Sequence, residues 1–327
     1  MQATATENAQ ATILVADTLS ESGLIALREA GCQVRSQPEL NPDTLAEAVK
    51  AYDPDVLIVR STKVPANVFT ASNRLSLVIR AGAGYDTIAI AAASERGISV
   101  ANCPGMNAIA VAELTWGLIL ACDRNIPAQT ADLHRGVWAK RAWSNAEGLC
   151  DRTLGIIGTG RIGREVAARG RGFGMKVVGW SRSLTQGQAD AMDIGFCSSL
   201  HNLLKMSDVV SLHVAATPET KHLVDASFCK ALRPNAILVN TTRGSVIDDT
   251  ALADAVRTKG IKVGLDVYND EPGAGDSVFS NPLLDLPGVY GTHHVGASTA
   301  QAQDAVADEA IRVVQTWLST GDAPNCV

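Results

Sequence analysis

The chain has 327 residues, 46% of them hydrophobic and 19% charged, with a formal net charge of −6. That length exceeds one ordinary core, so two domains are expected, and the acidic balance argues against nucleic-acid or anionic-membrane partners. Seven cysteines with no Cys-x-x-Cys pair read as reduced, buried thiols, and Met1–Asn8 has neither a basic nor an apolar segment, so a cytoplasmic protein without a secretory signal or membrane span is expected.

Residues 1–10 are polar. Ala11–Ala16 reads as a strand, Ser20–Ala30 as a helix closed by Gly31, Gln33–Ser36 as a second strand and Thr44–Ala51 as a helix. Strands follow at Asp55–Arg60, Leu77–Arg80 and Ile98–Ala101, with a helix before the last of them. This alternation makes a complete small α/β unit. A loop at Asn102–Gly105 leads to Ala108–Arg124, an apolar helical stretch interrupted only near Glu113 and Asp123, whose length suits a helix spanning both domains.

The apolar run Leu154–Ile157 reads as a buried parallel strand, followed by Gly158-Thr159-Gly160-Arg161-Ile162-Gly163 and a helix. In a Gly-x-Gly-x-x-Gly turn, the first glycine, Gly158, serves the tight turn. Gly160 lets a pyrophosphate approach, and Gly163 lets the helix pack on the strand. Backbone N–H groups at the helix start, around Arg161 and Ile162, then face phosphates. Strands are expected at Lys176–Trp180, Val209–His213, Ala236–Asn240, Lys262–Val267 and Val289–Thr292, completing a six-stranded doubly wound sheet. The final helix, Ala300–Ser319, is apolar at Ala302, Val306, Ala310, Val313, Val314 and Trp317, and is expected to pack back on the first domain.

A dinucleotide domain implies hydride transfer, so a substrate anchor and a proton donor are sought at the carboxyl ends of strands. Three residues stand there. Arg243, in Asn240-Thr241-Thr242-Arg243-Gly244, offers a planar fork matched to a carboxylate. His294 can exchange a proton near neutral pH. Glu271, in Asp270-Glu271-Pro272, can orient that imidazole and stabilise its charged form. Taken singly they read as a surface arginine, a structural histidine and a loop carboxylate; the case rests on all three ending strands of one sheet. No Cys/His/carboxylate cluster has metal-ligand spacing.

These segments resemble the D-isomer-specific 2-hydroxyacid dehydrogenases, and most of all the catalytic core of the D-3-phosphoglycerate dehydrogenases. The resemblance runs from about Ile13 to the end. It is carried by Val59–Val64, Arg80–Asp86, Ala112–Thr115, the glycine motif, Thr242–Gly244, Leu265–Val267, Asp270–Pro272 and His294–Thr299. It implies a flavodoxin-like substrate domain, 1–107 completed by 296–327, and a Rossmann cofactor domain, 108–295. It also implies Arg243, Glu271 and His294 as catalytic residues. Asp266 would hold the nicotinamide amide, and Val214, Thr241, Thr242 and Gly296 would line the cofactor site. Arg60, Ser61, Ala81, Gly82 and Ala83 would lie near the substrate.

The implied enzyme reduces a small 2-keto acid or oxidises the 2-hydroxy acid, excludes water by domain closure, and is a homodimer built partly through Ala108–Arg124. A glyoxylate or hydroxypyruvate reductase is the alternative, and a nucleotide-sensing corepressor-like binding protein the rival from another class. A phosphate on the substrate has candidate partners in Arg60, Lys63, Arg80, Lys140 and Arg141.

Several positions depart from the family pattern. His293 stands where the family commonly has Pro and is read as a bystander; the Arg60–Val64 loop looks one residue short, and Thr87 and Ala89 replace polar residues. With nothing after residue 327, a regulatory domain and serine feedback are not expected. About twenty residues past the glycines, the acid that receives an NAD ribose is replaced by Ser181-Arg182-Ser183. Arg182 suits a 2′-phosphate, with hydroxyls of Ser181 and Ser183 beside it, so NADP(H) is expected to be preferred over NAD(H).

Overall fold

A computed structural model describes residues 10–272 and 278–327. The polar opening stretch, residues 1–9, lies outside the described residues. The chain forms two compact units, one running to Asn107 and completed by Thr299–Val327, the other Ala108–Ser298.

The first unit alternates β1 (Thr12–Val15), α1 (Glu21–Glu29), β2 (Gln33–Ser36), α2 (Leu45–Tyr52), β3 (Val56–Val59), α3 (Ala66–Phe69), β4 (Leu77–Arg80), α4 (Ile90–Ser94) and β5 (Ser99–Asn102). Its five strands are all parallel, in the order β2-β1-β3-β4-β5. Runs such as Val56-Leu57-Ile58-Val59 are buried at every position, because a parallel sheet is covered on both faces.

The second unit opens with α5 (Ala108–Arg124) and α6 (Ile126–His134). It continues through β6 (Thr153–Ile157), α7 (Arg161–Gly172), β7 (Lys176–Trp180), α8 (Gln186–Ala191), β8 (Gly195–Phe196), α9 (Leu200–Met206) and β9 (Val209–Leu212). Then come α10 (Ala226–Ala231), β10 (Ile237–Asn240), α11 (Asp249–Lys259), β11 (Lys262–Leu265) and β12 (Val289–Gly291). The sheet has seven parallel strands, ordered β12-β11-β10-β9-β6-β7-β8, one more than expected. The extra strand, β8, is a two-residue edge piece whose residues are both exposed, so no apolar run announces it. Two layers close over the sheet: Ala112, Trp116 and Ile119 of α5 pack with Val166 of α7 on one face, and Phe228 and Leu252 pack on the other.

The last helix, α12 (Ala300–Thr320), is capped by Thr299, which accepts from the Ala302 amide at 3.1 Å, and ended by Gly321 at φ +80°. Its Val306, Ala310, Val313 and Val314 fill the first unit's core beside Ile13, Leu24 and Leu27. No helix among the described residues is long and apolar enough to cross a membrane. All seven cysteines are free; five are buried, but Cys150 and Cys326 are exposed, correcting the expectation of a uniformly buried set.

Candidate active site

The three proposed catalytic residues all lie at the carboxyl edge of the second unit's sheet, and the ends of β10, β11 and β12 are tied there by buried polar groups. β10 ends at Asn240, fully buried. Its side-chain oxygen accepts from the Thr242 amide at 3.0 Å and hydroxyl at 2.6 Å, while its Nδ2 donates to the Arg243 carbonyl at 2.9 Å. This local bonding folds the chain into a tight turn that presents Arg243. The turn lies so close to the β11 end that a Cβ at Gly244 would collide with the Tyr268 carbonyl. Asn240 was not singled out from the sequence; an Asn at a strand end before a polar turn is the signal that points to it.

β11 leads into Asp266, only 1% exposed. Its Oδ1 accepts from the Thr292 hydroxyl at 2.6 Å and the Val295 amide at 2.9 Å, and its Oδ2 from the Gly296 amide at 2.8 Å. A carboxylate has about four lone-pair sites, so one remains for a further donor. Two residues on, Tyr268 donates its hydroxyl to the Thr292 carbonyl at 3.0 Å and its amide to Glu271 Oε1 at 2.7 Å.

Glu271 Oε2 and His294 Nδ1 meet at 2.6 Å. His294 stands at φ +53° in the left-handed region, which histidine visits more readily than most residues but at some cost in strain. Its side chain is 46% exposed, whereas that of Glu271 is 28% exposed. Burial pushes the Glu271 carboxyl up, but the His294 hydrogen bond, the Tyr268 amide and the charges of His294 and Arg243 outweigh it and hold it below its usual value. His213 contrasts with His294: burial drives its imidazole down to about 3, so it stays neutral, with Nε2 on Ser211 Oγ at 2.8 Å. His293 is exposed.

The glycine motif joins β6 to α7. Gly158 has φ +95°, and a Cβ there would collide with the His213 carbonyl; one at Gly163 would collide with the Gly158 carbonyl. Gly160, the residue capping α7, faces open space. With no side chain on its cap, the first turn of α7, from Arg161 and Ile162, presents amide donors and the positive helix end to that space. These features fit a dinucleotide pyrophosphate. Val214, partly buried, follows directly on His213. Ser181 Oγ lies 3.3 Å from Thr159 Oγ1, and Arg182 and Ser183 are exposed. Thr241 is turned toward α5, its hydroxyl 3.1 Å from that of Thr115, and the Thr242 hydroxyl is spent on Asn240, so both threonines brace the turn.

The proposed substrate residues are neighbours within the first unit. Arg60 and Ser61 follow β3, and Ala81, Gly82 and Ala83 follow the adjacent β4. Asn102 Nδ2 donates to the Ala83 carbonyl at 2.7 Å and the Cys103 amide to the Gly82 carbonyl at 2.9 Å, so β5 steadies the second of these loops. Of the candidate phosphate partners, Lys63 is exposed and Arg60 and Arg80 are half-buried in the first unit, while Lys140 and Arg141 are exposed in the second.

Comparison with known proteins bears on this arrangement. Residues 116–296 match the family described as "D-isomer specific 2-hydroxyacid dehydrogenase, NAD binding domain". The chain is 41% identical over 313 residues to a D-3-phosphoglycerate dehydrogenase of Methanocaldococcus jannaschii, a match covering 94% of this chain and 58% of that protein. It is 38% identical over 296 residues to a hydroxypyruvate reductase of Thermotoga maritima, covering 90% of this chain and 94% of the relative. A crystal structure of a Thermus thermophilus protein superposes with a TM-score of 0.85 at 33% identity, covering 97% of this chain and 99% of that one. The chain thus spans little more than half the length of the phosphoglycerate dehydrogenases it matches.

Two predictions follow from the geometry. Gly163→Ala overpacks the strand–helix contact and should cost about 1–3 kcal/mol of stability. Gly160→Ala enters open space, so it should cost less than about 1 kcal/mol yet weaken NAD(P)H binding about tenfold or more; thermal midpoints and a fluorescence titration of each variant check this. Glu271 supplies the second. Because its folded carboxyl is held low, its contribution to stability is present above about pH 4.3, where a free Glu titrates, and is lost as pH falls through the lower folded value. The gap in melting temperature between the parent and Glu271→Gln should therefore stand open at pH 6 and close toward pH 3.

Proposed function

The chain belongs to the D-isomer-specific 2-hydroxyacid dehydrogenases, and from that premise we propose that it transfers hydride between a nicotinamide cofactor and a small 2-hydroxy acid or its 2-keto acid. The observation that carries this reading is the 2.6 Å Glu271–His294 pair, with the Arg243 charge acting on the same carboxyl. When bound, the nicotinamide supplies or takes up the hydride at its C4. Glu271 holds Nδ1, which leaves Nε2 of His294 as the nitrogen that exchanges a proton with the substrate oxygen. In the reducing direction His294 gives that proton to the keto oxygen. Arg243 clamps the substrate carboxylate with two parallel N–H groups and draws charge toward the carbonyl. In the oxidising direction His294 takes the hydroxyl proton, and the charged imidazole is stabilised by Glu271. Asp266, with one acceptor site to spare, is suited to the carboxamide of the nicotinamide.

A D-3-phosphoglycerate-type substrate is the first reading, with Arg60, Lys63 and Arg80 as partners for its phosphate. A glyoxylate or hydroxypyruvate substrate is the second, favoured by the near-complete coverage of the reductase relative. For the cofactor, the absence of an acid after β7 and the exposed Arg182 support a preference for NADP(H). A homodimer is supported by the second unit's apolar surface at Ile126, Leu133, Val137 and Trp138, the last 80% exposed.

The test is a steady-state panel of 2-keto acids with each cofactor. Turnover of at least one keto acid is expected, with kcat/KM about tenfold or more higher for NADPH than for NADH and that advantage lost in Arg182→Ala. His294→Ala should lower kcat about a hundredfold or more, while His293→Ala stays within a few-fold. Equal or better use of NADH would reverse the cofactor assignment, and an unimpaired His294→Ala would remove His294 from proton transfer. Sedimentation equilibrium should give a dimer that Trp138→Asp converts to monomer.

A further inference from the structure

The first unit's sheet runs β2-β1-β3-β4-β5, so the chain leaves β1 toward one edge for β2 and returns to its other side for β3. In open α/β sheets of this order, ligands bind beyond the carboxyl ends of the strands where the winding reverses, here between β1 and β3. Asp17 lies there, just past the end of β1, and the loop Arg60–Lys63 leaves the end of β3 beside it.

Across that gap one oxygen, Asp17 Oδ2, accepts from three successive amides: Arg60 at 2.7 Å, Ser61 at 3.1 Å and Thr62 at 3.1 Å. Successive N–H groups converging on one point form a nest of the kind that binds anions. In this molecule the anion is a side chain of the same unit. The loop is pinned again at Thr62, which is buried and donates its hydroxyl to the Leu40 carbonyl at 3.3 Å. Ser61 and Lys63 remain exposed and Arg60 half-exposed. The amides of Arg60, Ser61 and Thr62 are therefore occupied, and what these residues offer a ligand is side chains.

We propose that Asp17 is a positioning residue for substrate. Its carboxylate fills the nest at the β1/β3 reversal and fixes the Arg60–Lys63 loop, so that the side chains of Arg60, Ser61 and Lys63, and not the backbone amides of residues 60–62, receive the end of the substrate remote from its clamped carboxylate, a phosphate in the phosphoglycerate-type reading. This rests on the hydride-transfer function proposed above. The choice of one oxygen for all three bonds makes a specific demand. An Asn side chain can supply that oxygen without the charge, a Glu supplies the charge one methylene too far out, and an Ala supplies neither.

The test combines kinetics of the parent, Asp17→Asn, Asp17→Glu and Asp17→Ala with amide exchange of residues 60–62. In Asp17→Ala those amides should exchange about tenfold or more faster than in the parent. KM for the keto acid should rise about tenfold or more, with kcat within about threefold of the parent. The dissociation constant for NADPH, whose glycine motif lies in the other unit, should stay unchanged. Asp17→Asn should restore KM to within about threefold, and Asp17→Glu should behave like Asp17→Ala, carrying the test if the alanine variant does not fold. A KM within twofold of the parent in an active enzyme whose loop amides have lost protection overturns the proposal, and so does a parallel loss of kcat and NADPH affinity. A parent that turns over no 2-keto acid is a different result: it overturns the functional reading, and the role of Asp17 with it.

Discussion

The second unit's site depends on one buried carboxylate. Asp266 is withdrawn from water, a costly state for a charge unless hydrogen bonds replace the lost solvent. Three donors do so, and they come from both sides of His294: Thr292 before it, Val295 and Gly296 after it. Bonds to a charged acceptor are shorter and about twice as strong as neutral ones, so the loop that follows β12 is fastened at the end of β11 by the strongest local bonds available. The left-handed backbone at His294 is tolerable because its neighbours on either side are held.

Glu271 is governed by the same strand end. Its inner oxygen takes the Tyr268 amide, and the Tyr268 hydroxyl returns to the Thr292 carbonyl, so both partners of the pair hang from residues 266–268. A small shift of β11 would carry Glu271 and His294 together and preserve their 2.6 Å contact. Arg243 has a separate support in Asn240 at the end of β10, and hydrogen-bonded pairing of β10 with β11 sets its place relative to the other two. A parallel sheet buried on both faces thus acts as the ruler of the site.

The strands and long helices were readable because burial leaves a plain mark: four-residue Val/Ile/Leu runs for the strands, a stripe at Ala302, Val306, Ala310 and Val313 for the last helix. Gly195–Phe196 and the helix Ile126–His134 left no such mark, the first being too short to show an alternation and the second burying none of its residues. At the site, residue types were legible but their partners were not. His294 and Glu271 stand 23 positions apart, and nothing local reports that the topology brings the strand ends around them together. The Tyr268 hydroxyl and Asp17 leave no mark for a related reason: each bonds to backbone groups, and any residue at the partner position offers the same N–H or C=O. The glycines were the exception, since at Gly158, Gly163 and Gly244 the space for a side chain is already filled by backbone.

The split of the first unit also sets an order of events during synthesis. Val306, Ala310, Val313 and Val314 close one face of a sheet whose five strands end at Asn102. About two hundred residues, the whole of the second unit, must be made in between. At a translation rate of about 5–20 residues per second, the early strands wait on the order of ten seconds or more with one apolar face covered only in part, by α1, while the contiguous second unit can fold as it emerges. The nascent first unit is therefore the state in which this chain is most exposed to aggregation and most open to a chaperone.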